Sequence, residues 1–533
     1  MQLIENASDE KLRGGFYTPL PIASFILKWA FNGNTQCDIL EPSCGDGVFI
    51  DAIKLGNYQY NSLLGIELDS VEAEKSAKIG LPKTTILNQE FHEFCINTTK
   101  RFDLIIGNPP YIRYQFFNKE QQEYASEIFS KANLKYSKLT NAWVSFVVGS
   151  SLLLKENGKI GFVLPAEILQ VSFAQTLREF LAHFYNKISI VSFEKLVFPD
   201  IQQEVVLLLC EKNNTKTHQI EHVEVYDADS LLNLDVDKLK SPTKNIDFKS
   251  NKWTFYFLEQ EEINLLEKFQ TNSIIPSMRT FAKVEVGITT GSNPFFTVPL
   301  SVVKSYNLEA YAKPLVGRSV QVPSAIFTNK DWESNRENEA RTHLLVFPQY
   351  SELNKGAKDY IKWGEELEIH KGYKCSIRNE WQIIPSIRTS EALFIRRNNI
   401  YPKLIINEAL AYTTDTMHRV SLKEGIDIKA FTASYYNSLS LAFTEICGRS
   451  HGGGVLELMP NEAEEVLLPY NTKNSELLAC IDEMIRAKAD ILEILKITNP
   501  IILKGNYGLT DREIEIANNI WIKLSNRRLN RGK

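Results

Sequence analysis

Short, fully apolar runs alternating with helical patterns between about Thr18 and Lys212 constrain this 533-residue chain more than any other feature. Residues 37–40 end in a glycine-containing turn, and 62–69, 102–106, 159–164, 188–193 and 204–210 give five further strand-like runs. Val48, Ile50, Ile53 and Leu55 follow the first run at helical spacing, and 143–154 reads as a crossover helix. A strand without a polar face has both faces covered, which is the condition of a parallel sheet sandwiched by helices. The expected fold class is therefore α/β, with a doubly wound domain over residues 1–212.

The pattern changes after Cys210. Residues 213–273 are polar apart from one strand-like run at 222–228, and read as a connecting segment. From 274 to 470 many short β-like runs are separated by turn residues, as in an α+β domain. Residues 471–533 return to helix: Leu477, Leu478, Ile481, Met484, Ile485, Leu492 and Leu495 share a helical stripe ending at Pro500, and 511–529 gives a second helix. With 44% hydrophobic and 23% charged residues, the composition excludes a disordered or collagenous chain. The longest apolar run, 142–154, is broken by serines and falls short of the roughly 20 residues a membrane span needs. Residues 1–15 are polar and lack a signal-peptide core. Seven scattered cysteines, none in a CxxC pair, fit reduced thiols rather than disulfides or zinc. A soluble cytoplasmic protein with no membrane partner and no metal is expected.

Net charge is −5, so any affinity for phosphates has to come from local clusters. Residues 371–419 carry Lys371, Lys374, Arg378, Arg388, Arg396, Arg397, Lys403 and Arg419 against four acids, and the tail adds Lys523, Arg527, Arg528, Arg531 and Lys533. A solvated basic face is the plain alternative to a phosphate-binding one.

The sharpest motif is Asn108-Pro109-Pro110-Tyr111, directly after the apolar run 102–106 and Gly107. Ligands of open α/β sheets bind beyond the carboxyl ends of strands. Two prolines hold such a turn rigid, aiming the Asn108 amide oxygen and the Pro109 carbonyl at one point, as a substrate NH₂ group requires. Tyr111 offers a face for stacking. Upstream, Glu41-Pro42-Ser43-Cys44-Gly45-Asp46-Gly47 is a strand running into a Gly-x-Gly turn, and the next strand ends in Gly65-Ile66-Glu67. The third glycine of a dinucleotide fingerprint is missing. The pair fits a nucleoside-bearing cofactor without a diphosphate, its ribose hydroxyls held by the strand-end carboxylate.

FYTP (16–19), EPSCGDG (41–47), GIELD (65–69), NPPY (108–111) and VFPDIQQ (197–203) occur in one order. That order resembles the γ-class, S-adenosylmethionine-dependent DNA adenine-N6 methyltransferases of type II restriction–modification systems. The likeness continues through VGITTGSNPFF (286–296), PLVGRSV (314–320), YPKLIIN (401–407) and SHGGGVLELMP (450–460). It implies a Rossmann-like methyltransferase domain followed by a target-recognition domain at 274–470. Tyr17 and Thr18 would bind the methionine carboxylate end of S-adenosyl-L-methionine. Glu41, Ser43, Gly45 and Gly47 would contact its methionine and nucleoside parts, and Glu67 its ribose. Glu90 would read its adenine amino group, with Phe91 flanking the ring. Asn108 and Pro109 would accept the target N6 hydrogens, with Tyr111 and Phe198 contacting a flipped base. The implied partners are double-stranded DNA and a cognate restriction endonuclease, and the implied state is a monomer.

Two other NPPY readings remain: a methyltransferase for protein glutamine or RNA, and a non-catalytic specificity protein. The long C-terminal region argues against the first, and the intact motifs argue against the second. His218-Gln-Ile-Glu221-His222 matches HxxEH, but lies in a strand-like segment that would not bring its histidines onto a helix face. His451-Gly-Gly-Gly454 has no GxSxG partner and reads as a glycine turn.

Overall fold

A computed structural model describes residues 17–32, 36–112, 117–136, 141–198, 203–240, 244–246, 248, 252–271, 274–451 and 453–530. The N-terminal segment with Phe16, residues 199–202 of the VFPDIQQ motif, Gly452, and Arg531 and Lys533 of the basic tail lie outside the described residues. The chain forms two compact units, one ending at Ile263 and the other beginning at Asn264.

The first unit is built on a nine-stranded sheet. Its strands are β1 (Asp38–Glu41), β2 (Ser62–Glu67), β3 (Thr84–Asn88), β4 (Phe102–Gly107), β5 (Leu154–Pro165), β6 (Lys187–Phe193), β7 (Val205–Glu211), β8 (Gln219–Val225) and β9 (Lys244–Asn245). Their spatial order is β3-β2-β1-β4-β5-β7-β6-β8-β9. Strands β3, β2, β1, β4 and β5 pair in parallel. The chain therefore winds outward in both directions from β1 and β4, which leaves a crevice at their carboxyl ends.

Helices α1 (Leu20–Ala30) and α2 (Val48–Leu55) contribute Ile22, Phe25, Ile26, Phe49, Ile50 and Ile53 to a core cluster that also holds Ile39, Leu104 and Val163. Two more helices complete this half of the sheet, α3 (Ser70–Lys78) and α4 (Phe91–Asn97). Among the connections that follow, α5 (Lys119–Lys131) precedes α6 (Ala142–Leu152), which is buried nearly all round, so the run expected to be a crossover helix is one.

One departure from the expected all-parallel sheet has a physical cause. Strand β7 runs antiparallel to both β5 and β6. The link from Phe193 to Val205 is shorter than the about a dozen residues a parallel crossover needs, so the chain turns back. Strand β3, with its mixed burial, was not anticipated; it is an edge strand. The segment 213–273, expected to be a connection, contributes β8 and β9 to the sheet. The HxxEH match falls on β8, where His222 Nε2 lies 2.8 Å from Ser192 Oγ and His218 Nδ1 lies 2.8 Å from the Tyr185 carbonyl.

The second unit has a five-stranded sheet in the order Ala282–Val286, Met417–Leu422, Ala392–Ile395, Leu404–Asn407, Ile326–Phe327, together with a four-stranded and a three-stranded sheet. The first C-terminal helical stripe is interrupted. Lys488 takes a left-handed φ of 58°, and Asp490 caps a new helix, so Leu478–Arg486 and Ile491–Asn499 are separate. The last helix, Asp511–Asn530, matches the expected 511–529.

The basic residues of 371–419 divide: Lys371, Lys374, Arg388 and Arg397 are exposed, and the others are engaged within the fold. Arg378 donates to the carbonyls of Thr290 (2.7 Å) and Trp381 (3.1 Å), and Arg388 pairs with Glu285. Arg396 and Arg397 both reach Glu457 at 2.9 Å. Lys403 donates to the Val322 carbonyl at 2.9 Å, and Arg419 is buried. Arg528 of the tail is 2% exposed, pairs with Glu445 at 2.6 Å, and donates to the Gly454 carbonyl at 2.5 Å and to that of Asn399. The expectation that this arginine contacts phosphate is therefore overturned: it ties the last helix to the body of the unit. Arg528→Ala leaves Glu445 buried and unpaired, and is expected to cost about 3–5 kcal/mol in chemical denaturation. A loss below about 1 kcal/mol would contradict the assigned role.

Glu457 is held near a pKa of about 2 by hydrogen bonds from His451 and Arg397 and by the charge of Arg396. A carboxyl held below its unfolded value stabilises the fold above that value, and the contribution is lost as pH falls through the folded one. The second unit is therefore expected to weaken between about pH 4.5 and pH 2, and Glu457→Gln to flatten that part of an acid-unfolding curve. An unchanged curve would refute this.

Candidate active site

The crevice beyond β1, β2 and β4 holds a cavity of about 640 Å³. The ends of these strands place their residues there. β1 ends at Glu41 and turns through Pro42–Gly47 into α2, while β2 ends at Glu67, paired beside it. Gly47 has φ of 94°, and a side chain there would strike Ile79 and approach Ser76 Cα at 3.2 Å. It is glycine because the segment containing α3 packs directly on the turn. The Ser76 hydroxyl donates to the Gly45 carbonyl at 2.6 Å, fixing the loop from the same side.

Glu67 braces this loop. One oxygen accepts the Gly45 N–H at 2.8 Å and the other accepts the Asp69 N–H at 2.9 Å. Glu41 differs: it is 2% exposed, lines the cavity, and its carboxylate meets no donor among the described residues. Burial, with the nearby charges of Glu67 and Asp46, pushes its pKa well above the usual carboxylate range, and burial raises that of Glu67 too. An unpaired carboxylate facing a cavity suits a cationic ligand.

Other expected residues line the same cavity: Tyr17 (half exposed), Thr18 (buried), Ser43, Gly45, Glu90, Phe91 and Asn108. Gly47 stands behind the loop, and the rim at the β4 end is formed by Asn108 and Pro110, with Pro109 buried beside them. The Ser43 hydroxyl donates to the Asn108 carbonyl at 3.3 Å, linking the two motifs. Tyr111 donates through its hydroxyl toward Asn108 Oδ1 at 2.8 Å, with the Val163 carbonyl 3.2 Å away. Burial raises its phenol pKa well above normal. Tyr111 packs against an apolar core cluster that also contains Phe198, and neither of these aromatics is among the residues lining the cavity.

Several lining residues were not anticipated: Asp46, Gln89, His92 and Phe146. Phe146 stacks on Phe91 with ring centroids 4.7 Å apart. It comes from α6, remote in sequence, and no local motif marks it. The cavity thus offers an aromatic shelf, a braced glycine turn, an unpaired anion and a rigid amide acceptor. These suit a cofactor with an aromatic base, a ribose and a positive charge. Among the described residues no group of His, Cys, Asp and Glu could hold a metal ion, and no helix is long and apolar enough to cross a membrane.

Comparison with known proteins agrees with this arrangement. The family described as "Eco57I restriction-modification methylase" matches residues 53–198, and "Type II methyltransferase M.Eco57I, C-terminal domain" matches 250–503. The type II methyltransferase M.AccI of Acinetobacter calcoaceticus is 26% identical over 85% of this chain and 84% of its own length. M.XamI of Xanthomonas campestris pv. amaranthicola is 21% identical over 86% of this chain and 85% of its own. M.HincII of Haemophilus influenzae is 28% identical, over 46% of this chain and 43% of its own length. A solved DrdV–DNA complex covers 90% of this chain and 58% of that one, at 14% identity and a TM-score of 0.47. With a matching family on either side of residues 199–249 and a Rossmann-like sheet beneath the cavity, the chain belongs to the type II restriction–modification methyltransferases, whose cofactor is S-adenosyl-L-methionine.

Proposed function

We propose that this DNA methyltransferase modifies N6 of an adenine flipped out of double-stranded DNA, and so protects its site from a cognate restriction endonuclease in the cytoplasm. The observation that carries this is the rigid Asn108-Pro109-Pro110-Tyr111 turn opening onto the cavity that holds Glu41 and Glu67. The cofactor, when bound, supplies a methyl group made electrophilic by its sulfonium.

Glu41 opposes that positive charge. Glu67, already braced by two backbone N–H groups, accepts from the ribose hydroxyls on its remaining lone pairs. Tyr17 and Thr18 bind the methionine carboxylate end, beside Ser43, Gly45 and Gly47. Glu90 reads the cofactor's adenine, and the stacked Phe91 and Phe146 flank it. Adenine's amino nitrogen is a weak nucleophile because its lone pair is delocalised into the ring. Asn108 Oδ1 and the Pro109 carbonyl accept its two hydrogens, favouring a tetrahedral nitrogen with its lone pair toward the methyl. In this reading the amino group replaces the Tyr111 hydroxyl on Asn108, and Tyr111 and Phe198 offset part of the cost of unstacking. Residues 274–470 read the target sequence, flanked by the segment 213–273 and the helices of 471–533, and the enzyme works as a monomer.

The test is transfer of labelled methyl from S-adenosylmethionine to unmethylated genomic DNA, with nucleoside analysis of the product. N6-methyladenine is the expected product. N4-methylcytosine would overturn the choice of base, and label appearing only in protein or RNA would overturn the substrate.

A further inference from the structure

We propose that His92 is a positioning residue that sets the cofactor's base specificity by fixing the Glu90 carboxylate; the inference rests on the reading of Glu90 given above. His92 is 1% exposed, although it sits next to Phe91 at the start of α4 and lines the cavity. Its Nδ1 lies 2.5 Å from Glu90 Oε1, and its Nε2 lies 2.7 Å from Ser145 Oγ on α6. The Ser145 hydroxyl is in turn 2.8 Å from the Ala142 carbonyl. The ring is packed edge-on against Phe146, centroids 4.9 Å apart.

A carboxylate can only accept, so the imidazole hydrogen facing Glu90 is on Nδ1. The other Glu90 oxygen caps α4, accepting the Glu93 N–H at 2.8 Å. Each oxygen is therefore held by one fixed donor, and its orientation is set by the backbone on one side and by a buried ring on the other. The lone pairs left over belong to an acceptor that cannot swing or offer a hydrogen. A purine 6-amino group satisfies such an acceptor. A 6-oxo group opposes it, oxygen to oxygen, and leaves buried polar atoms unpaired. Ser145 and Phe146 carry this constraint to α6, which packs against α4, α5 and β5, so base choice is tied to a helix remote in sequence from the glycine turn.

The test is calorimetric titration of the full chain with S-adenosylhomocysteine and with its 6-oxo analogue, S-inosylhomocysteine. The wild type is expected to prefer the amino ligand by about 100-fold. His92→Leu is expected to bring that ratio below about fivefold, chiefly by weakening the amino ligand. His92→Asn, which keeps a donor near the Nδ1 position, is expected to restore much of it. The loss in the His92→Leu enzyme is expected to appear mainly as a raised KM for S-adenosylmethionine rather than a lowered kcat, since the group acts on binding and not on the methyl transfer. A role in packing alone would lower the melting temperature of the free protein and leave the ratio intact, and that result overturns the proposal. If His92→Leu does not fold, Ser145→Ala decides: a ratio reduced about threefold supports the proposal and an unchanged ratio overturns it. A wild type that binds neither ligand would sink the reading of the cavity itself, and the proposal with it.

Discussion

Asn108→Ala is expected to lower the rate of methyl transfer about 10³-fold, the scale seen when one preorganised transition-state hydrogen bond is removed from a rigid site. The alanine deletes the side-chain acceptor for the target amino group and leaves the Pro109 carbonyl alone. One acceptor cannot hold both hydrogens, so the nitrogen stays planar and its lone pair remains in the ring. The cofactor's affinity should change less than about threefold, because the Asn108 side chain supplies one wall of a cavity whose polar anchors are Glu41, Glu67 and Glu90. Tyr111→Phe is the internal control. It removes the hydroxyl at 2.8 Å from Asn108 Oδ1 but keeps the aromatic face, so activity should persist within about threefold. Single-turnover kinetics with saturating cofactor and DNA would measure both. An Asn108→Ala enzyme within about tenfold of the parent would refute the role given to the amide.

Glu41→Gln is expected to raise the dissociation constant for S-adenosylmethionine about 10- to 100-fold, the range for a buried hydrogen bond or ion contact to a charged group. The same substitution should make the free protein more stable. The pKa of Glu41 is raised by burial first and by Glu67 and Asp46 next. A folded pKa above the unfolded one gives a contribution present at low pH and lost as pH rises through the folded value. Near neutrality the native carboxylate therefore strains the free protein, and the neutral amide relieves it. Cofactor affinity in the wild type should rise as pH rises toward the raised pKa of Glu41, where the carboxylate ionises to meet the sulfonium. S-adenosylhomocysteine, which lacks that charge, should show a shallower dependence. Equal pH profiles for the two ligands, or a Glu41→Gln protein less stable than the parent, would remove the basis for this role.

Much of the catalytic fold could be read from the residues because its strands are buried on both faces, and an apolar run such as Phe102–Ile106 has few alternatives. The edges were harder. Thr84–Asn88 is an edge strand of mixed burial, and Gln219–Val225, though paired on both sides, is mostly half-buried, so both resemble a linker in polarity. The reversed direction of β7 depends on the length of a connection rather than on the composition of the strand. At the site, the motifs announced the residues that lie on turns, where glycine and proline leave a clear signature. Phe146 and His92 were silent. One arrives from a helix packed by generic apolar residues, and the other follows a recognised pair without extending its pattern. The basic stretch 371–419 could not be sorted for a simpler reason: a charge count cannot distinguish a guanidinium facing solvent, as that of Arg397 does, from one facing a carbonyl, as that of Arg378 does.

The inward-facing basic groups bear on how the second unit would meet a duplex. Phosphate binding gains most of its free energy from displacing the cations condensed on DNA, and only a mobile, unpaired side chain displaces one. Arg378, Arg396, Lys403, Arg419 and Arg528 are already committed to carbonyls and carboxylates within the fold. These five would liberate few counterions on docking, which leaves any phosphate contact from the stretch 371–419 to the exposed Lys371, Lys374, Arg388 and Arg397.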